Sequence, residues 1–424
     1  MVEAALRSGA ASRRSVFEVF ARRLPDGRRY GVVAGTGRLL EELERFRFTE
    51  AEIGWLREGY VVDDATLDWL STYRFGGSVW GYAEGECFFP GSPILVVEGT
   101  FAEAVLLETL VLSVLNHDSA IASAASRMTC AAGGRPCLEM DSRRTHEDAA
   151  VAAARAAVIG GFVSTSNLEA GRQYGLTTVG TAAHSFTLLH DDERTAFEAQ
   201  VESLGPGTTL LVDTYDVEKA VRTAVEVAGP TLGAVRLDSG DLLAQAQDVR
   251  KLLDSLGATR TKIVVTSDLD EYAIAALAAG PVDSYGVGTS LVTGSGHPTA
   301  GLVYKLVARE GGNGEMVNVA KASKSKTSVG GRKYALRRRD ENGTAEAEVL
   351  GIGHPPLGDA DDRPLLVPLV LQGEADRACT GPEGVVAARK RHRASFGELP
   401  AAAHRLAKGE AAIPTRYEQE EAAR

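Results

Sequence analysis

Short apolar runs, each closing on polar or glycine residues, recur through the middle of the chain. Leu176 to Thr181 leads into Ala182-Ala183-His184-Ser185, and Thr209 to Val212 into Asp213. Ala234 to Leu237 leads into Asp238-Ser239-Gly240-Asp241, Ile263 to Thr266 into Ser267-Asp268, and Tyr285 to Val287 into Gly288-Thr289. The pattern predicts strands at 137–141, 176–181, 208–213, 233–238, 262–266 and 283–288. Between them lie alanine-rich helical patterns, at Glu147 to Val158, Val217 to Val227, Leu242 to Leu256 and Glu271 to Ala279. Strand–helix repeats of roughly 25 to 35 residues imply a parallel sheet. Enzymes built this way gather reactive groups at the ends of successive strands. Periodicity alone leaves a barrel and an open doubly wound sheet equally possible.

The flanks differ. Ser15 to Arg22 sets Val16, Phe17, Val19 and Phe20 among polar residues and predicts a strand, while Arg38 to Phe46 has helical spacing. Phe88 to Glu98 reads as strand–turn–strand about Pro90-Gly91-Ser92-Pro93, and Ala102 to Leu115 as a buried helix. After about residue 300 the repeat stops. Val303 to Ala308 and Tyr334 to Arg338 read as strands, and the tail after 395 as a charged helix with loops. Three segments result: a mixed α/β unit at 1–118, the repeat at 119–299 and a C-terminal segment at 300–424.

Composition narrows the class. With 44% hydrophobic and 24% charged residues in 424, the chain has the make-up of a globular protein of more than one domain. A formal net charge of -11 argues against a nucleic-acid binder. Cys87, Cys130, Cys137 and Cys379 form no CxxC pair, which speaks against a zinc ribbon or disulfide framework and for a reducing cytoplasm. The longest apolar stretch, Ala104 to Leu115, contains Glu108, so no membrane span is expected. Glu3, Arg7, Arg13 and Arg14 interrupt any secretory pattern.

Several strand ends carry chemistry. An imidazole titrates near neutral pH, and its free nitrogen is a nucleophile, so His184 beside Ser185 is either a catalytic group or a core histidine. Asp238 and Asp241 flank Ser239-Gly240, and both are good helix N-caps as well as good acceptors for sugar hydroxyls. Arg236, two residues before Asp238, shares its strand face. Gly286-Val287-Gly288-Thr289 is either a tight turn or a nest of backbone N–H groups for a phosphate. Arg143 and Arg144 are solvated arginines or a fork for an anion, and His146 is ambiguous. The eight basic residues Lys321, Lys324, Lys326, Arg332, Lys333, Arg337, Arg338 and Arg339 have a solvated basic loop as their default reading. No GxxxxGK[ST] occurs, so ATP would not be handled by a P-loop.

Taken in order, these motifs resemble the nicotinate phosphoribosyltransferases, a type II phosphoribosyltransferase family. The carriers are Ser142-Arg143-Arg144, Gly160-Gly161-Phe162 with Thr165-Ser166-Asn167, and Gly180-Thr181-Ala182-Ala183-His184-Ser185. They continue with Arg236-Leu237-Asp238-Ser239-Gly240-Asp241, Ser267-Asp268-Leu269-Asp270-Glu271, Gly286-Val287-Gly288-Thr289 and Tyr304-Lys305-Leu306-Val307. Each is weak alone, but together they span nearly the whole chain. The resemblance implies an α/β fold: an irregular α/β barrel plus a discontinuous α/β sandwich domain, which the C-terminal segment returns to complete.

The resemblance also implies an activity. Nicotinate nitrogen attacks C1 of phosphoribosyl pyrophosphate with Mg²⁺ present, giving nicotinate mononucleotide for NAD salvage. ATP phosphorylates His184, and hydrolysis of that phosphohistidine drives the reaction. Asp238 would hold the ribose hydroxyls, and Ser267, Asp268, Gly286, Gly288 and Thr289 would surround the 5′-phosphate. Arg143, Arg144, Ser166, Asn167, Ser185, Arg236 and Ser239 would complete the substrate site, with Arg236 first choice for the pyridine carboxylate. Lys321 and Lys326 fall where the family has lysines near its phosphates, with Gly330-Gly331 replacing the usual proline-glycine. No metal ligands are assigned. A homodimer in the cytoplasm is implied, with no nucleic-acid or membrane partner.

Family members usually open with Thr-Asp-x-Tyr-x-x-Thr-Met, whose tyrosine stacks on nicotinate across the dimer interface. Met1-Val2-Glu3-Ala4 aligns with the last methionine, so this sequence lacks that aromatic lid. A silent ligand-binding or structural paralogue, or a nicotinamide or quinolinate phosphoribosyltransferase, is the alternative.

Overall fold

A computed structural model describes residues 1–321 and 329–418. Lys324 and Lys326 lie outside the described residues. The chain divides into two compact units, Ala124–Gly296 and a discontinuous one made of Met1–Ser123 with His297–Arg424.

The unit 124–296 is built on six parallel strands: β1 (Cys137–Glu139), β2 (Ser164–Thr165), β3 (Thr209–Leu211), β4 (Ala234–Leu237), β5 (Lys262–Thr266) and β6 (Ser284–Val287). Their order in the sheet is β2-β1-β6-β5-β4-β3. This is sequence order around a ring, laced between β6 and β1 and cut between β2 and β3. Val235, Leu237, Ile263, Val264 and Val265 are all buried, as expected of parallel strands covered on both faces. The helices follow the predicted spacing. In Leu242–Ser255 the Asp241 carboxylate caps the Ala244 N–H at 3.2 Å, and Ala246, Val249 and Leu253 form the buried stripe. Val217–Ala228 starts on Asp216 and ends at Gly229, whose φ of 76° favours glycine.

One predicted strand is absent. Residues 176–181 make a single parallel bridge, Thr165 to Thr178, and no ladder. Gly175, at φ 64°, ends the helix Leu168–Tyr174 immediately before the segment, and Gly180 follows closely behind. The sheet is therefore a curled, incompletely laced barrel, and side chains bridge its open seam.

In the discontinuous unit, a seven-stranded sheet runs Met316–Asn318, Leu302–Glu310, Arg14–Ala21, Leu95–Thr100, Ser78–Tyr82, Leu366–Leu371, Glu374–Ala375, with every neighbouring pair antiparallel. A four-stranded sheet, in the order Arg363–Pro364, Lys333–Arg339, Ala345–Ile352, Thr415–Tyr417, accompanies it. One apolar core draws Phe17, Val97, Val111 and Leu115 from the N-terminal segment and Tyr304, Leu350 and Leu369 from the C-terminal one. The predicted strand–turn–strand at 88–98 splits between sheets. Cys87–Phe88 pairs with Gly31–Val32, and Leu95–Thr100 pairs with Arg14–Ala21 and Ser78–Tyr82. The C-terminal helix is Gly381–Gly397, which precedes residue 395 for most of its length instead of following it.

Two expectations are corrected here. The basic run is not a solvated loop where it is described beyond Gly331. Arg337 is fully buried, 2.7 Å from Glu348 and 3.4 Å from Glu86, and Lys333 lies buried 2.8 Å from Glu18. Arg332 stacks 3.8 Å over the Tyr334 ring, Arg338 pairs with Asp362, and Arg339 with Glu398. These cations sit on or beside a central strand, so partners from across the unit satisfy them. The helical stretch Phe101–Ala131 is, by length and composition, long and apolar enough to cross a membrane, contrary to the reading of Ala104–Leu115. More than half of its most apolar window is buried within the protein, the setting of a core helix.

Candidate active site

The ends of β1, β4, β5 and β6 surround a cavity of about 230 Å³. Its lining brings together Arg143 and Arg144 after β1, Arg236 and Asp238 at the end of β4, Thr266, Ser267 and Asp268 at the end of β5, and Gly286, Gly288 and Thr289 at the end of β6. Nine of the predicted site residues thus meet here. Arg143 and Arg144 are exposed, and neither guanidinium has a hydrogen bond or ion pair among the described residues. Ser267 holds φ at 144°, a backbone region that L side chains rarely adopt and that clusters at functional sites. Glycine at 286 is required by packing, because a Cβ there would lie 2.5 Å from the Thr266 methyl and 2.9 Å from Met140 Sδ.

Arg236 is the most committed cation of the group. Its Nε donates to Thr266 Oγ1 at 2.9 Å, Nη1 to Thr181 Oγ1 at 2.6 Å, and Nη2 to Asp238 Oδ1 at 2.7 Å. Thr266 in turn donates to Asp238 Oδ1. Burial alone would raise the Asp238 carboxyl. The hydrogen bonds from Thr266 and Arg236, with the charges of Arg236 and His184, outweigh it and hold the carboxyl below its ordinary range. Asp238 Oδ2 takes no hydrogen bond among the described residues.

His184 opens the short helix His184–Leu189 instead of closing a strand. Its Nδ1 is hydrogen-bonded to Thr214 Oγ1 at 3.2 Å, and its Nε2 lies 3.8 Å from Asp238 Oδ2 and 3.9 Å from Asp213 Oδ1. With Arg236 to Thr181, the His184–Thr214 contact ties the two lips of the unlaced seam. The Asp213 side chain is buried, and its Oδ2 accepts from the Asp238 N–H at 2.9 Å and Ser239 Oγ at 2.8 Å. Ser185, next to His184, is exposed. Asp213, Thr214 and Thr266 were not singled out as site residues, although the end of the run at Asp213 follows the same pattern as Asp238.

The remaining candidates lie around this group or apart from it. Asn167 caps the helix Leu168–Tyr174 and donates to Ser142 Oγ at 3.0 Å, while the Ser166 N–H reaches the Glu139 carbonyl at 2.8 Å. His146 is an exposed helix cap, and its Nδ1 accepts from the Asp148 N–H at 3.3 Å. Asp241 is the cap of the following helix, so of the two aspartates only Asp238 lines the cavity. Lys321 is exposed and belongs to the other unit. Asp141, next to the cavity-lining Met140 in sequence, is fully buried; neither carboxyl oxygen is hydrogen-bonded among the described residues, and desolvation together with the nearby Glu139 pushes it up to about 10.

Comparison with known proteins agrees with this architecture. The profile described as the nicotinate phosphoribosyltransferase (NAPRTase) N-terminal domain matches residues 1–116. The nicotinate phosphoribosyltransferase pncB1 of Mycobacterium tuberculosis is 58% identical over 98% of this chain and 92% of its own length. This chain belongs to the nicotinate phosphoribosyltransferase family. A second nicotinate phosphoribosyltransferase of that organism, pncB2, is 42% identical over 86% of this chain and 78% of its own. The crystal structure of human nicotinic acid phosphoribosyltransferase matches with a TM-score of 0.82 at 26% identity, over 97% of this chain and 95% of that one.

Proposed function

We propose that the protein transfers the phosphoribosyl group of phosphoribosyl pyrophosphate to nicotinate, giving nicotinate mononucleotide and pyrophosphate in NAD salvage, and that ATP phosphorylates His184 to drive the transfer. The observation that carries this reading is the single cavity at the strand ends, with three arginines, two carboxylates and a glycine turn facing one volume. Arg143 and Arg144, without protein partners, suit the pyrophosphate; the donor capacity left on Arg236 suits the pyridine carboxylate. The backbone around Gly288 and Thr289, with Ser267, suits the 5′-phosphate.

The pyridine nitrogen forms the new bond to C1 as the C1–oxygen bond breaks, its electron pair leaving with pyrophosphate. Positive charge develops at C1, and an ionised Asp238 with one free oxygen stabilises it while accepting from the ribose hydroxyls. Mg²⁺ neutralises charge on pyrophosphate when bound. Such an ion takes one or two carboxylates plus phosphate oxygens, and Asp238 and Asp268 fit that requirement. Thr214 engages Nδ1 of His184 and leaves Nε2 as the nitrogen that attacks the γ-phosphorus, with ADP as leaving group.

A homodimer is part of the proposal. Leu188 and Leu189, on the helix that His184 opens, are 61% and 78% exposed and offer an apolar surface beside the site. Four free thiols are in keeping with a reducing cytoplasm.

The test is direct. Purified protein with nicotinate, phosphoribosyl pyrophosphate and Mg²⁺ yields nicotinate mononucleotide by mass spectrometry, and γ-labelled ATP leaves acid-labile phosphate on the protein. Product without label at any ATP concentration refutes the ATP coupling; label without product refutes the transfer.

A further inference from the structure

Thr266 is the last residue of β5 and is 4% exposed. Its hydroxyl accepts from Arg236 Nε at 2.9 Å and donates to Asp238 Oδ1, which also receives Arg236 Nη2 at 2.7 Å. The three side chains therefore form a closed triangle of hydrogen bonds. The Thr266 methyl is fixed as well, since it occupies the space that a Cβ at Gly286 would enter at 2.5 Å. A side chain pinned at both its hydroxyl and its methyl has one rotamer available.

We infer that Thr266 is a positioning residue for the transfer reaction: it fixes Asp238 so that Oδ1 is consumed within the protein and Oδ2 alone faces the substrate. The inference rests on the proposed role of Asp238. In the parallel sheet Thr266 is directly opposite Gly286, while Val264 pairs with Arg236 and Val265 with Leu237. Without the hydroxyl, Arg236 Nε loses its acceptor, and Asp238 Oδ1 is left with Arg236 Nη2 alone to hold it. The remaining groups facing Asp238 are Arg236, His184 Nε2 at 3.8 Å from Oδ2, and Asp213, whose Oδ2 takes the Asp238 N–H. Loss of the Thr266 donor leaves Arg236 Nη2 as the one remaining hydrogen bond among the described residues that orients the Asp238 carboxylate.

Thr266→Val keeps the shape and removes the hydroxyl; Thr266→Ser keeps the hydroxyl. In steady-state assays of nicotinate mononucleotide formation, Thr266→Val is expected to lower kcat about 10- to 100-fold with KM for nicotinate changed less than about threefold. Thr266→Ser should recover kcat to within about fivefold of the parent. The thermal midpoint of each variant shows whether it is folded. A folded Thr266→Val with the parent's kcat overturns the inference, as does a Thr266→Ser that fails like the valine variant. Asp238→Asn, run alongside, separates the two claims. If it retains full activity, the role of Asp238 itself is wrong; if it is impaired while Thr266→Val is normal, only the positioning role falls.

Discussion

Asp213 and His184 face each other across the unlaced seam of the parallel sheet, with Asp213 Oδ1 lying 3.9 Å from His184 Nε2. The carboxylate is buried, and this oxygen has no hydrogen-bond partner among the described residues, while the other is held by the Asp238 N–H and Ser239. The imidazole is held from its far side by Thr214. A ring fixed at one nitrogen and opposed by carboxylates at the other is set for proton transfer.

Replacing His184 by alanine is predicted to abolish incorporation of phosphate from γ-labelled ATP. The residue is 40% exposed at its side chain and packs no core, so the thermal midpoint should change by no more than about 2 °C. Label at the parent's level in the variant means that another residue accepts the phosphate.

Choice between pyridines should depend on the arginines. A guanidinium fork rewards the nicotinate carboxylate, whereas neutral nicotinamide leaves charge unpaired, at a cost on the order of 2–3 kcal/mol. This corresponds to a preference of about 30- to 150-fold. Arg236→Leu should narrow the ratio of kcat/KM values for the two substrates; Arg143→Leu and Arg144→Leu should chiefly raise KM for phosphoribosyl pyrophosphate. If none of the three narrows the ratio, the carboxylate is bound by other groups.

Asp141 makes stability depend on pH in a stated direction. Burial and Glu139 raise it to about 10, so the folded chain keeps a proton that the unfolded chain releases near the usual carboxylate range. Its contribution is full below about pH 4 and declines as pH rises toward 10, by up to about 1.4 kcal/mol per unit. Asp141→Asn removes this slope and should stabilise the protein by about 1–3 kcal/mol at pH 8, with little change at pH 4. Denaturant titrations at the two pH values measure it, and a variant less stable than the parent at pH 8 but not at pH 4 would show that the carboxyl is needed in its charged form.

Arg337 is the corresponding test in the discontinuous unit. It is fully buried among Glu86, Glu348 and Glu398, and Arg337→Met leaves those carboxylates without their central cation. The expected loss is about 3–5 kcal/mol, read as a lower denaturant midpoint. A midpoint unchanged by the substitution would mean that the carboxylates take up protons at little cost.

Much of the barrel unit was legible because its strands are short apolar runs with polar ends, and its helices carry caps and buried stripes. Where local signals mislead, long-range partners decide. Leu176 to Thr181 has the composition of a strand, but it lies at the open edge of the sheet and makes one bridge, to Thr165. The basic residues from Arg332 to Arg339 look solvated because their acidic partners Glu18, Glu86 and Glu98 are more than 230 residues away in sequence. The candidate site was read from residues with obvious chemistry. Thr266 and Thr214 were passed over because a hydroxyl gains its meaning only from the groups that it joins.

The antiparallel pairing of Arg14–Ala21 with Leu302–Glu310 bears on how the chain is made. Phe17 meets Leu306, so one side of an early strand awaits a partner synthesised roughly 290 residues later, on the order of 15 to 60 seconds of ribosomal elongation. Throughout that interval the strand can be covered on its other side by Leu95–Thr100, while its unfilled edge presents free backbone groups to any neighbouring nascent chain. The inserted unit 124–296 has all its own strands by then and can fold first. Chaperone dependence during synthesis should therefore fall on the N-terminal third, and slowing translation after Gly296 should increase aggregation more than slowing it before Ala124.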